Sequence, residues 1–245
     1  MIEKIKKYAV VTGAASGIGK SVLIRLLSDN VIVFAIDKKP VEVEGAISIQ
    51  CDISNEQEIL STTKRIASYT DKIDYLALAA GVLCKSERYI IEDLPIEEWN
   101  YVIQTNLTGN MLLIKHLICF LKKSETASVV TYSSEQVIRP IAKSAPYLVS
   151  KAGIEALTKL LALELIGFNI RVNCIRAATV RTNFLSSLVG EQEQIKLMCD
   201  DMNKKMPFGI IDSSNIADIT VFLFSDSTNK ITGQIITVDS GMLLI

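Results

Sequence analysis

The chain has 245 residues, 49% of them hydrophobic, and its 26 Lys and Arg against 27 Asp and Glu leave a net charge of -1. That length and apolar content suffice for one buried core in a single domain, 1–245. The near-neutral balance excludes the strong basic excess of a nucleic-acid binder.

Five cysteines (Cys51, Cys84, Cys119, Cys174 and Cys199) share no CxxC spacing, so neither a disulfide framework nor a zinc site is expected, and a reducing compartment is. The apolar run 8–12 is too short for a signal peptide and ends in a glycine turn. No stretch approaches the roughly 20 apolar residues of a membrane span. A cytoplasmic protein with no membrane partner is expected. His116 lies in an apolar run and reads as a packed or half-exposed helix residue rather than a ligand.

Along the chain, short apolar runs alternate with longer amphipathic ones, the pattern of βαβ units. Predicted strands cover 8–12, 31–36, 46–50, 75–79, 128–132, 171–175 and 235–238, and predicted helices cover 19–28, 56–68, 96–122, 145–166 and 215–224. Continuously apolar strands suit a parallel sheet covered on both faces. The expected fold is therefore α/β: a single-domain, doubly wound, Rossmann-like parallel sheet flanked by helices. Asp37 and Asp52 are separated by only 14 residues, too few for another strand and a crossover helix, so a short loop is expected there.

The segment Thr12-Gly13-Ala14-Ala15-Ser16-Gly17-Ile18-Gly19 closes the first strand and opens the first helix. Gly13 permits a tight turn, and Gly17 and Gly19 remove side chains where a phosphate and the helix must approach closely. A helix N-terminus offers free N–H groups and partial positive charge to a pyrophosphate. A glycine turn alone is a weak signal; strand before and helix after make it a dinucleotide site. Asp37 closes the second strand, where a carboxylate accepts hydrogen bonds from both adenosine ribose hydroxyls and repels a 2′-phosphate. The turn holds no Arg or Lys, and Lys38 beside Asp37 does not cancel its charge. NAD is the expected cofactor.

The spacing Thr12-Gly13-x-x-x-Gly17-x-Gly19, with Tyr147-x-x-x-Lys151, resembles the short-chain dehydrogenases/reductases, in the group of about 250 residues. Further landmarks follow in order: Asp52, Ala80-Gly81, Asn106, Ser134, Asn173 and the closing Thr232-Gly233-Gln234 with Val238-Asp239-Ser240-Gly241. The resemblance spans essentially the whole chain. It implies that Ser16 and Ile18 belong to the cofactor turn, that Asp52 and Ile53 contact adenine, and that Ala79, Ala80 and Gly81 line the ribose. It implies that Val180 and Thr182 meet the nicotinamide carboxamide, that Ser134, Tyr147 and Lys151 are catalytic, with Tyr147 and Lys151 also contacting the cofactor and Lys151 holding its nicotinamide ribose, and that Asn106 supports a proton relay. Two departures stand out. Leu78-Ala79 replaces the family's paired asparagines, and Ala177-Ala178 replaces its Pro-Gly.

The chemistry fits these residue types. Tyr147 and Lys151 are four apart and share one face of a helix. An unperturbed tyrosine, with a pKa near 10, is a poor base; a nearby ammonium and a cationic nicotinamide favour the phenolate. Ser134 at a strand end can hydrogen-bond the substrate oxygen as charge develops. The hydride belongs to the cofactor, and no metal is needed.

The resemblance thus implies hydride transfer between NAD and a secondary alcohol or ketone, with Tyr147 as acid and base. Residues 182–209 read as a mobile lid made apolar by Phe184, Leu185, Leu188, Met198, Met202 and Met206. Arg139, Arg176 and Arg181 are candidate clamps for a substrate carboxylate. The short connection between the second and third strands, the Ala79-Ala80-Gly81 turn and the Arg139-Pro140 pair are similar to those of dehydrogenases of cyclic dihydrodiol acids within the family. Alternatives are a 3-oxoacyl-type ketone reductase and a catalytically silent NAD-binding protein. Broad apolar faces on helices 99–122 and 145–166 lead to the expectation of a homo-oligomer, dimer or tetramer.

Overall fold

The computed structural model describes residues 6–85, 89–182 and 200–245. Seven strands form one parallel sheet: β1 (Tyr8–Thr12), β2 (Ile32–Asp37), β3 (Ile47–Gln50), β4 (Tyr75–Leu78), β5 (Ser128–Ser134), β6 (Arg171–Ala177) and β9 (Ile235–Val238). Their order is β3-β2-β1-β4-β5-β6-β9. The winding reverses between β1 and β4, and in such sheets a ligand crevice opens at the strand C-termini beside that reversal.

Successive strand residues point to opposite faces, so the sheet builds two cores. Ala9, Val11, Val33, Ala35 and Ala77 face one core with α1 (Gly17–Ser28) and α6 (Ser213–Phe224). Val10, Phe34, Ile36, Leu76 and Val129 face the other, with α2 (Glu56–Ala67) and α4 (Asn110–Leu121). On α1 the apolar stripe Val22, Leu23 and Leu26 is buried at helical spacing. α1 and α6 are also linked by the Ser21 and Ser213 hydroxyls at 2.7 Å. Asn55 caps α2, accepting the Gln57 N–H. α5 (Ala145–Leu165) carries Pro146 in its first turn, where a missing N–H costs nothing.

Residues 38–46 connect β2 to β3 without a helix, as their number required. Strands β5 and β6 each run two residues past their predicted ends, into Ser133-Ser134 and Arg176-Ala177, because the ladder between them continues to the Ser134–Ala177 pair. The continuous helix expected over 96–122 is corrected to three pieces: α3 (Ile96–Ile103), a π-helical turn (Gln104–Gly109) and α4. Asn106 sits in that wider turn with its side chain bonded to the backbone of Val82. Two further strands that the pattern did not suggest, β7 (Val180–Arg181) and β8 (Ile211–Asp212), pair with each other. Of the expected lid, Phe184, Leu185, Leu188 and Met198 lie outside the described residues. Residues 200–205 are helical, with Met202 half-buried and Met206 fully buried.

Candidate active site

A cleft of about 1430 Å³ runs along the strand C-termini from the glycine turn to α5. At one end, Gly13, Ser16, Gly17, Ile18 and Gly19 form its floor. Gly13 adopts φ +66°, and a Cβ there would lie 2.9 Å from the Ala79 carbonyl oxygen. A Cβ on Gly19 would collide with the carbonyl of Gly13. Strand and helix therefore meet here with no room for side chains. Ser16 makes no side-chain cap, and the first turn of α1 carries no acidic residue. That leaves its N–H groups directed at the cleft, where an anion fits.

Asp37, at the end of β2, accepts the backbone N–H groups of Ala15 at 3.0 Å and Lys39 at 2.9 Å. Asp52 and Ile53 line the same end, beyond β3. Lys38 reaches to Asp52 at 2.6 Å. Burial opposes ionisation of Asp52, but the bonds from Lys38 and Ser54 outweigh it and hold the carboxyl below its usual range. Ala79, Ala80 and Gly81 follow β4 along the middle of the cleft, where the Ala80 N–H donates to the Thr12 hydroxyl at 3.0 Å.

Val180 and Thr182 line the opposite side. In this chain's Ala177-Ala178 step, the N–H of Ala178, which stands where the family has glycine, donates to the Val238 carbonyl at 2.9 Å. That bond joins the segment leading to Val180 onto the end of β9.

Tyr147, Lys151 and Ser134 border the far end of the cleft. The Lys151 ammonium lies 5.6 Å from the centre of the Tyr147 ring and donates to the Tyr132 carbonyl at 2.9 Å. Burial pulls its pKa down to about 8. Ser134 accepts the Gln136 N–H at 3.3 Å and donates its hydroxyl to Glu135 at 2.9 Å.

Asn106 lies behind the cleft wall, fully buried. Its amide accepts from Val82 N–H at 2.7 Å and donates to the Ser150 hydroxyl at 3.1 Å, which in turn donates to the Tyr147 carbonyl at 2.7 Å. A Cβ on Gly81 would lie 3.5 Å from the Asn106 amide oxygen and 3.6 Å from the Lys151 nitrogen. A methyl at 81 would thus touch both groups at ordinary van der Waals distance.

The arginines considered as carboxylate clamps are placed otherwise. Arg176 is held by both oxygens of Glu155, at 2.8 and 2.7 Å. Arg181 pairs with Asp212 at 3.4 Å, and Arg139 is exposed. None of the three lines the cleft among the described residues. Among the polar lining residues that the sequence pattern did not single out, Glu135 and Gln136 follow Ser134 directly. The available signal was an acid and an amide placed directly after the strand-end serine. His116 is half-buried on α4 and meets Glu56 at 2.8 Å, away from the cleft.

A doubly wound sheet with a glycine turn at its switch point and a Tyr-x-x-x-Lys helix across the cleft defines a nicotinamide-dependent oxidoreductase. The family model described as enoyl-(acyl carrier protein) reductase matches residues 13–243. The chain is 30% identical to the NAD-dependent glycerol dehydrogenase of Listeria innocua serovar 6a, over 96% of this chain and 93% of that protein. It is also 30% identical to the 2,3-dihydro-2,3-dihydroxybenzoate dehydrogenase of Bacillus subtilis, over 97% and 96%. The ligand-free aldohexose dehydrogenase of Thermoplasma acidophilum superposes with a TM-score of 0.92 at 26% identity, over 98% of this chain and 95% of that one. The chain belongs to the short-chain dehydrogenase/reductase family, whose members are oxidoreductases acting on CH–OH groups with a nicotinamide cofactor.

Proposed function

We propose that this protein is an NAD-dependent dehydrogenase that interconverts a secondary alcohol and its ketone, with Tyr147 as the proton acceptor and donor. The observation that carries the reading is the shared placement of Tyr147, Lys151 and Ser134 around one end of a cleft whose other end is the glycine turn. The cofactor's pyrophosphate fits the uncapped first turn of α1 and its adenosine ribose fits Asp37, with Asp52 and Ile53 beside the adenine. Ala79, Ala80 and Gly81 flank the path between the two ends, and Val180 and Thr182 face the nicotinamide end.

When bound, the nicotinamide supplies the hydride acceptor and donor. Ser134 turns its hydroxyl to the reacting oxygen and stabilises charge there. Tyr147 takes the alcohol proton in oxidation and returns it in reduction. The Lys151 ammonium favours the Tyr147 phenolate by its charge, and Asn106 with Ser150 braces the wall behind both.

NAD is favoured over NADP by two features of the ribose pocket. Asp37 presents negative charge where a 2′-phosphate would sit, and Lys38 is drawn aside to Asp52. The glycerol dehydrogenase relative uses NAD by name. Exposed Leu160, Leu163, Ile166 and Phe168 on and after α5 favour a homo-oligomer. No described helix is long and apolar enough to cross a membrane, and the cysteine usage favours the cytoplasm.

Steady-state oxidation of a panel of secondary alcohols with NAD and NADP tests the reading. Turnover with NAD that Tyr147→Phe abolishes is expected. Tight NAD binding without turnover on any alcohol or ketone overturns it.

A further inference from the structure

Glu135 is the feature of the cleft that proton transfer leaves unused. Its carboxyl is buried, it follows Ser134 directly, and it lines the end of the cleft shared by Tyr147. A buried carboxylate needs hydrogen-bond donors, and its side-chain donor here is the Ser134 hydroxyl at 2.9 Å. A hydroxyl has a single O–H to give. When Ser134 turns to the reacting oxygen of a substrate, Glu135 loses that donor and keeps the bond from its own backbone N–H. The vacancy lies beside the reacting carbon, and a second substrate hydroxyl on the neighbouring carbon can fill it.

Gln136 reinforces the pattern. Its side-chain oxygen is buried without a partner among the described residues, and the residue lines the same cleft. Two adjacent acceptors therefore look for donors, and a polyol carries donors on adjacent carbons. Charge points the same way. A substrate carboxylate beside Ser134 meets the Glu135 carboxyl, with Asp239 near enough to add to the negative field. None of the candidate arginines reaches the cleft to offset it. An ammonium group is disfavoured in turn by Lys151 and the cationic nicotinamide.

Resting on the dehydrogenase reading above, we propose that Glu135 is a specificity-determining residue that accepts a hydrogen bond from a second hydroxyl, making the substrate a neutral vicinal diol or polyol rather than a hydroxy acid. Burial raises the Glu135 carboxyl above its usual range, against the bond from Ser134, so its charge is held at a cost that a hydroxyl donor relieves. Between the two relatives, the uncharged glycerol of one suits this pocket and the carboxylated ring of the other does not.

Three four-carbon probes test this: 2,3-butanediol, 2-butanol and 3-hydroxybutyrate, each oxidised with NAD. Wild-type kcat/KM should favour the diol over 2-butanol by about 10- to 100-fold, the worth of one hydrogen bond to a charged acceptor, and should be lowest for the acid. Glu135→Ala should collapse the diol-to-butanol ratio to near unity. Glu135→Gln keeps the shape and removes the charge, so its discrimination against 3-hydroxybutyrate should relax by about tenfold. A wild type that prefers the acid, or a diol ratio unchanged in Glu135→Ala, overturns the assignment while leaving the dehydrogenase intact. Inactivity of the wild type on all three, and on their ketones with NADH, overturns both.

Discussion

The carboxylate of Asp37 accepts the backbone N–H of Ala15 at 3.0 Å, joining the end of β2 to the glycine turn. In the proposed reading, one side chain thus shapes the turn that takes the pyrophosphate and presents charge to the adenosine ribose. That bond couples the two ends of the proposed dinucleotide pocket.

Replacing Asp37 with Ala should therefore alter affinity and selectivity together. With NAD, kcat/KM should fall by about 10- to 100-fold, as a charged acceptor of two ribose hydroxyls is lost. The NAD to NADP ratio should fall as well, because the repulsion of a 2′-phosphate is gone. Kinetics with both cofactors measure this, and an unchanged ratio would show that Asp37 serves only the turn.

For Tyr147→Phe, kcat should drop by at least about 100-fold, the usual worth of a positioned proton donor and acceptor. The ring remains and the cleft keeps its shape, so NADH should still saturate the protein in a fluorescence titration. Loss of NADH binding would make Tyr147 a cofactor-site residue first.

Much of this architecture was legible because it rests on steric and period rules. The glycine turn needs absent side chains at 13 and 19, and the two-faced burial of β1 and β2 needs unbroken apolar runs. The short link between β2 and β3 follows from chain length alone. What stayed hidden depended on partners distant in sequence. The π turn at 104–109 is one case: it carries Asn106, whose amide is bonded to the backbone of Val82, 24 residues away. The last residues of β5 and β6 looked like loop because Ser133, Ser134 and Arg176 are polar. Ser133 and Arg176 are satisfied by Glu155 from α5. Arg176 read as a clamp for the same reason: its acidic partner could not be seen.

Lys151 should set a pH signature in stability. Burial pulls its pKa down to about 8, so between that value and the ordinary lysine range the unfolded chain holds more protons than the folded one. Stability from this group rises with pH across that window, and below it the full cost of burying an ammonium is present. Lys151→Met removes that cost but leaves the Tyr132 carbonyl without its donor. The variant should be more stable than wild type at pH 7 by on the order of 2 kcal/mol. The gap should narrow from pH 8 to pH 10 in thermal melts. A wild type that melts higher at pH 7 would contradict this.

Glu155 carries the opposite dependence. Burial opposes its charge, but Arg176 and Ser133 outweigh that and hold its carboxyl below the usual range. Its contribution is present above the unfolded carboxylate value and is lost as acid titrates the folded one. Glu155→Gln should lower stability by about 3 kcal/mol at neutral pH, because it strands Arg176 in a half-buried position. The loss should shrink towards pH 4 in denaturant melts. An equal loss at both pH values would mean that packing, not charge, is what Glu155 supplies.

The single wide turn at 104–109 places α3 and α4 out of angular step with each other. Through it, one nearly continuous rod shows a first stripe to α5 and a second to α2 and the sheet. Deleting one residue there would restore an even spiral and swing everything after it by about 100°. The rod could then keep its grip on the sheet or keep the Asn106 amide against Val82 and Ser150, but not both.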